Sequence, residues 1–529
     1  MVADKPGTES LTDPPITTGS LRETRRPSAC EPGEMNRRLI ASLALLLAIG
    51  GCGDDTSAAD AASGADAPAS DGNATDAPEG DAPEQDAGER MDVPAIDAGG
   101  MEIPTLPGPL AWEDCEGSGR TLTAGPDDYR DVLETLMPGD TLQLAAGTYL
   151  RGLPVSVSGE EGRCIVIEGQ AGARPLFHGS DAFNIIAFRG ASWIKVRGFD
   201  IDGLGLGGFG VASQGADVPV HHIVVEDLEM IGLAGNQQIT GISTKTPAWD
   251  WVIRGNRILE AGTGMYLGNS NGRLPFIGGL IEGNLIVDPL GYCMQIKHQN
   301  EEGRGGLGLP GLPDEATTTI RYNVFAGAVR GGGDGARPNV LIGDVPPAGS
   351  GSSDQYLVYG NLFYENPTEN LFQGEGNIAL YSNVFFTTSM GAILIRPHNG
   401  VPRNIEVVHN TIIAAGRSIS VSGGAAGYTQ MIHSNVAFSG SPIRGDGAEV
   451  SNNLEGSVTD AAGALIGAAG AIGVDLDLRP QSAEAVMGEE RVTDVPRGGL
   501  DFDGHIRSDA TRGAYEPGQM GWRLALENR

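Results

Sequence analysis

Lys297-His298, Asp344, Gln373-Gly374-Glu375 and Arg396-Pro397-His398 are the groups whose types and placement could do chemistry, because each lies at the end of a short strand-like run: Gln295-Ile296, Leu341-Ile342-Gly343, Leu371-Phe372 and Ile393-Leu394-Ile395. A Lys or His can accept a proton, an Arg can neutralise an anionic group, and a second cation can donate to a departing oxygen. Lys297, His298, Arg330, Arg337, Arg396 and His398 are therefore the candidates for proton transfer. Asn269, Asp344, Gln373 and Glu375 are the candidates for holding a ligand by hydrogen bonds. Arg304, Arg330 and Arg337 lie in Gly-rich insertions that could wall a groove. The competing reading of the stripe is structural, since polar residues at strand ends commonly just meet solvent.

What would bring these residues together is a repeat. An Asn followed by an apolar strand recurs at Asn256, Asn284, Asn323, Asn361, Asn383, Asn410 and Asn435, with gaps of 28, 39, 38, 22, 27 and 25 residues. Self-similarity of this kind means stacked coils of β-strand. Asn tolerates a left-handed bend, and its amide both donates and accepts, so Asn residues stacked from coil to coil can satisfy one another. Asn269, Lys297 and Arg396 each lie thirteen residues beyond a ladder Asn, which predicts one shared corner. With parallel strands about 4.8 Å apart, Lys297 and Arg396 would stand three coils, or ~14 Å, from each other.

An open solenoid needs caps. Pro126-Asp127-Asp128 followed by Tyr129, Val132, Leu133 and Leu136 on one face, with Pro138-Gly139 as a stop, predicts a capping helix at the N-terminal end. The first coils follow in Thr141-Leu142-Gln143-Leu144 and Cys164-Ile165-Val166-Ile167.

Residues 138–179 resemble the opening of right-handed parallel β-helix proteins of the pectate-lyase-like superfamily, which includes polysaccharide lyases acting on alginate and chondroitin-type chains. Asp501-Phe502-Asp503-Gly504, Arg507 and Gly513-Ala514-Tyr515-Glu516 resemble a closing segment common on bacterial secreted β-helix proteins. The resemblance covers roughly residues 120–517 and implies the fold; one solenoid hosts lyases, hydrolases, epimerases, adhesins and inert spacers. In the lyases it implies, Lys and Arg take the base and acid roles in β-elimination beside a uronate carboxylate. That reading puts Lys297 as base with Arg330 or Arg337 as partner.

Residues 35–52 have the layout of an export signal, with Arg37-Arg38 ahead of an apolar run and Ile49-Gly50-Gly51-Cys52 after it. That last stretch resembles the lipobox of bacterial lipoproteins, which implies a lipidated Cys52 as the first mature residue. Residues 1–34 read as an upstream extension. Residues 53–100 hold thirteen acids, one base and no aromatic, so the segment 53–105 is expected to be a disordered acidic linker. The solenoid is assigned to 106–517 and a tail to 518–529. In an oxidising compartment Cys115 and Cys164 could pair, leaving Cys293 as a small buried hydrophobe.

Formal charge is −33 for the chain, of which residues 101–529 carry −21, and this sets nucleic acid aside as a partner. Phosphate-loop, His-Glu-x-x-His, Cys-x-x-Cys and Gly-x-Ser-x-Gly motifs are absent from the sequence. Calcium stays open as a cofactor without a motif: Asp501-Phe502-Asp503-Gly504 imitates a calcium loop but has His505 and Arg512 where oxygen ligands belong, and reads as a tight turn. His221-His222 and His409 lack metal-ligand spacing and read as structural, as do Trp249 and Trp251. The expected protein is an all-β, right-handed parallel β-helix, a lipid-anchored monomer at the bacterial surface that binds and cleaves a polysaccharide by lyase-like or hydrolase chemistry. A non-catalytic β-helix for adhesion is the alternative.

Overall fold

The computed structural model describes residues 112, 114–172, 174–215, 218–327, 336–489, 499–507 and 510–529. Arg330, Cys52, the export signal and the linker lie outside the described residues. The chain winds as the right-handed parallel β-helix expected from its sequence. One coil shows the plan: Thr263–Leu267 lies in an eleven-stranded sheet, Leu280–Glu282 forms a second face, and Leu285–Val287 forms a third beyond a bend at Asn284. The next coil then begins at Met294–Ile296, which pairs parallel with Thr263–Leu267, Met265 facing Met294. Side chains alternate, so Met265, Met294, Val340, Phe372, Ile393 and Ile419 stack inside while their neighbours face out.

The bend between the second and third faces carries the Asn ladder. Each Asn Oδ1 accepts both the backbone N–H and the side-chain Nδ2 of the Asn one coil earlier: Asn323 N and Nδ2 to Asn361 Oδ1 at 2.9 and 2.9 Å, Asn361 to Asn383 at 3.0 and 2.9 Å. Each Nδ2 also reaches a backbone carbonyl of that earlier coil, as Asn361 does to Ile320 O at 2.9 Å. The seven expected Asn residues are fully buried, and Asn453, which sequence spacing overlooked, adds an eighth rung. The left-handed residue is not the Asn, as expected, but the one before it: Gly255, Gly283, Tyr322, Gly360, Ser382, His409, Ser434 and Asn452 all have φ between 51° and 66°. The Asn keeps an ordinary backbone because its side chain must point inward along the stack.

The helix at the N-terminal end is shorter than expected, Tyr129–Leu133, because Gly125 N donates to Asp128 Oδ1 at 2.7 Å and turns the chain before it. Tyr129 still plugs the core, its hydroxyl donating to Gly152 O at 2.6 Å and its ring edge-on to Tyr149. Cys115 and Cys164 are disulfide-bonded, and Cys293 is buried with its thiol pushed well up by burial. Residues 499–507 and 510–529 run back along the third face. Phe502, Ala514, Tyr515 and Leu524 cover outward Leu285, Val324, Leu362, Val384 and Val436. Asn528 Nδ2 donates to Gly283 O at 2.7 Å. Asp501 closes the turn expected there, accepting from the backbone N–H of Asp503, His505 and Glu516. Asp503 is taken by Trp522 N and the Arg529 guanidinium.

Replacing Asn361 by Ala strips two donors of their acceptor and two carbonyls of their donor in the middle of the stack. The expected loss of stability is about 3 kcal/mol by urea denaturation, with a smaller loss for Asn453→Ala at the half-buried end.

Candidate functional site

The C-terminal ends of the eleven-stranded sheet form a continuous edge. Reading the pairings one residue past each strand gives the row Lys245, Gly268, Lys297, Gly343, Glu375, Arg396, Ser422. Lys297 and Arg396 thus share a corner three strands apart, as the Asn spacing predicts. Asn269 does not join them. It falls one residue beyond the row because Leu267 pairs with Ile296, 29 residues on, while Asn256 stacks on Asn284, 28 residues on. Its Oδ1 closes a turn by accepting Leu274 N at 3.0 Å. Gln373 lies mid-strand, in a row with Gln295, Leu341 and Leu394.

Two expected ligand-holding carboxylates are instead engaged by the protein. Glu375 is buried and accepts the backbone N–H groups of His398, Asn399 and Gly400 at 2.9, 3.1 and 2.9 Å, pinning that turn. Asp344 accepts Val345 N at 2.8 Å, Val401 N at 3.1 Å and the buried Arg403 guanidinium at 3.3 Å. Burial pushes the Asp344 carboxyl up, and the Arg403 charge opposes this. Arg403 also donates to Pro346 O and Val345 O, both at 2.8 Å. Nothing in its sequence neighbourhood, at the start of strand Pro402–Val408, marks that role.

These loops surround a cleft of ≈ 830 Å³ lined by Arg273, His298, Asn300, Asp344, Asn399 and Arg403 among others. Asn300 caps the short helix Glu301–Arg304 by accepting Gly303 N at 2.8 Å. Arg304 is not a groove wall as expected: it is buried on Asp354 at 2.9 Å, beneath the insertion, and burial pushes Asp354 up to about 6. Arg337 precedes strand Val340–Ile342, at the opposite end from Gly343, and its guanidinium lies over the Tyr292 ring. The structure therefore separates Arg337 from Lys297. Arg396 and His398 are exposed at the rim. His298 is half-buried with Nδ1 unbonded among the described residues, and its imidazole is held below the usual range by burial and then by the adjacent Lys297 charge.

Sequence reasoning found Lys297 but missed Lys245, its counterpart across Tyr266. Lys245 Nζ and Lys297 Nζ lie 5.8 and 5.9 Å from the Tyr266 ring centroid, two strands apart across Gly268, and Lys245 also sits 5.0 Å from the Phe209 ring. The chain has four lysines, Lys5, Lys195, Lys245 and Lys297, and Lys195 is buried on Glu116. Their scarcity beside 31 arginines was the available signal. The arrangement offers two ammonium groups and a half-buried phenol on one outward surface of an acidic protein.

No protein-family model matches the chain, and no curated protein matches it. Among solved structures it is similar to a GH136 lacto-N-biosidase from Eubacterium ramulus, at 12% identity over 62% of this chain and 64% of that one, TM-score 0.38. The chain thus spans under two thirds of that enzyme's length. It is also similar to the pectate lyase Pel9A, at 14% over 74% and 90%, TM-score 0.37, and to the PL6 polysaccharide lyase Pedsa3628 from Pseudopedobacter saltans, at 9% over 64% and 92%, TM-score 0.35. Likeness at this level concerns the coil and leaves the chemistry of the corner to its own residues.

Two measurements separate anchoring residues from rim residues. Glu375→Gln should lower stability by about 1–3 kcal/mol and open residues 397–401 to proteolysis, whereas Arg396→Ala should change stability by under about 0.5 kcal/mol. His298 should titrate below 6.5 by NMR. The native state then binds fewer protons than the unfolded chain between that lowered value and 6.5, so its contribution to stability falls as pH drops through the window.

Proposed function

We propose that this protein binds an acidic extracellular polysaccharide along the outer face of the eleven-stranded sheet and cleaves it by β-elimination at the Lys245–Tyr266–Lys297 surface. The observation that carries this reading is the placement of two of the chain's four lysines on either side of one aromatic ring, at a strand edge that continues to Arg396. An outward ring with flanking cations suits a sugar carrying carboxylates: the ring supplies apolar contact and the ammonium groups supply charge. Successive strands about 4.8 Å apart offer contacts at a spacing that suits an extended polymer.

In the elimination, Lys297 in its neutral amine form takes the proton beside the uronate carboxylate and becomes the ammonium, Lys245 as its ammonium offsets the growing charge on that carboxylate, and the Tyr266 hydroxyl donates its proton to the departing glycosidic oxygen. Tyr266 takes the place first considered for Arg330 or Arg337, because it lies beside Lys297 and Arg337 lies at the other end of its strand. Arg396, three strands away, binds a neighbouring sugar of the same chain. The Cys115–Cys164 disulfide supports an oxidising, exported location, consistent with anchoring through Cys52. A purely adhesive role is the second reading, and the engagement of Glu375 and Asp344 by backbone groups favours it, because neither carboxylate is left for acid or base work.

Incubation with alginate, pectate and chondroitin-type chains should raise absorbance in the unsaturated-uronate band. Lys297→Ala should abolish that signal and weaken binding about ten- to a hundredfold, while Tyr266→Phe should keep binding and lose about 10²-fold or more in rate. Binding to these glycans without any absorbance change would leave the adhesive role. Unchanged binding in a Lys245→Ala, Lys297→Ala double variant would end both readings.

A further inference from the structure

Beyond the two lysines, the outward side of the eleven-stranded sheet carries a row with a period of two. The pairings set Tyr266, Gln295, Leu341, Gln373, Leu394 and Ser420 side by side on six successive strands. The residue before each of them fills the core, so the row itself faces out. An aromatic or aliphatic group stands on the first, third and fifth of these strands, and an amide or hydroxyl on the second, fourth and sixth. Tyr266, Leu341 and Leu394 are each half-buried. The cations at the strand ends follow the same count. Lys245 and Lys297 flank Tyr266, and Arg396 follows Leu394, four strands on. Between Lys297 and Arg396 lie Gly343, which presents no side chain, and Glu375, whose carboxylate is spent on the backbone of residues 398–400.

Resting on the polysaccharide reading above, we propose that the acidic polymer bound here is a flat, two-fold chain, in which each sugar is turned by half a revolution against the next. A sugar in an extended chain advances by roughly one strand step, ~5 Å. In a two-fold chain alternate sugars then present the same face and the same carboxylate edge to the protein. Those over Tyr266, Leu341 and Leu394 lay their C–H faces on apolar side chains, and those between meet Gln295 and Gln373 through hydroxyls. The uronate at Tyr266 sets its carboxylate between Lys245 and Lys297. Four sugars on, an even number, the uronate over Leu394 turns its carboxylate to the same edge, where Arg396 stands exposed. A three-fold chain repeats its contacting face on every third strand instead. That would carry the face from Tyr266 to Gln373 and its carboxylate to Glu375, an acid. Chains with equatorial linkages are ribbon-like and two-fold, whereas axial linkage in polygalacturonate gives a three-fold screw, so the row selects among acidic polymers by the geometry of their linkages.

Calorimetric binding of polymannuronate and of polygalacturonate, matched in length, to the intact protein tests this. The two-fold polymannuronate should bind about tenfold more tightly than the three-fold polygalacturonate, and among mannuronate oligomers affinity should climb with every second sugar added. A Gln373→Leu, Leu394→Gln double variant keeps the composition and breaks the period. With the circular dichroism and melting of the parent, it should bind polymannuronate about tenfold more weakly. Leu341→Ser, a single outward change, should weaken binding several-fold and serves where the exchange variant does not fold. Equal affinity of the parent for the two polymers, or unchanged affinity in the folded variants, would overturn the two-fold chain and leave the Lys245–Tyr266–Lys297 surface standing. No binding of either polymer would sink the polysaccharide reading, and this inference with it.

Discussion

Every placement in this molecule depends on one hydrogen-bonded unit repeated up the stack: an Asn carbonyl oxygen holding the backbone N–H and the side-chain amide of the Asn one coil earlier. A strand has a side-chain period of two, so a slip of one residue between coils would exchange inside for outside over the whole turn. The ladder forbids the slip at one corner, and the buried stacks such as Phe325, Phe363 and Phe385 reinforce it on the third face. Coil lengths from 22 to 39 residues are accommodated because the extra residues enter on either side of the eleven-stranded sheet, after Met294–Ile296 in one coil and both before and after Val340–Ile342 in the next, and not at the Asn bend. The variable segments are therefore kept away from the Asn bend by the same constraint that keeps the rest uniform.

Register also organises charge. Across the second face, Glu168, Arg197, Glu226, Arg254, Glu282 and Arg321 alternate in sign from coil to coil, with contacts of 2.6 Å for Arg197–Glu168 and Arg321–Glu282 and near 3.5 Å for those of Arg254. Arg197 and Arg254 each lie between two acids, so the pairing gains from a network that isolated surface pairs lack. The row ends where Arg321 donates to the Tyr359 hydroxyl at 3.1 Å and Tyr359 stacks on Tyr381. An acidic chain thus uses many of its arginines structurally, which makes the outward lysines at Tyr266 the more distinctive cations.

The repeat, the seven Asn rungs, the Cys115–Cys164 pair and the shared row of Lys297 and Arg396 were legible because each depends on residue type at a countable spacing. What escaped depends on a second chain segment meeting the first. Asn269 left the row because one coil carries an extra residue between the Asn bend and the eleven-stranded sheet, a shift no count from a single Asn detects. Glu375 and Asp344 looked available until the turn at residues 398–401 folded onto them. Lys245 was missed because its coil precedes the first counted Asn, and Asn453 because its gap of 18 is shorter than the others.

The two outward clusters use the coil in opposite ways. At Tyr266 the regular alternation of strands sets cations at multiples of the strand spacing, and Gly268, with φ of 86° and no side chain, keeps the surface open between them. At Trp193, His222 and Asp250 the alternation is broken: a left-handed residue in each of three coils brings four rings, Trp193, His221, His222 and Trp249, into stacks and sets the two imidazoles in a 2.8 Å Nδ1–Nδ1 hydrogen bond. A polymer ligand needs contacts repeated along the axis, which an unbroken ladder supplies. In a fold whose side chains otherwise diverge from the surface, a bulge stacked in register is the local departure that packs rings of neighbouring coils against one another.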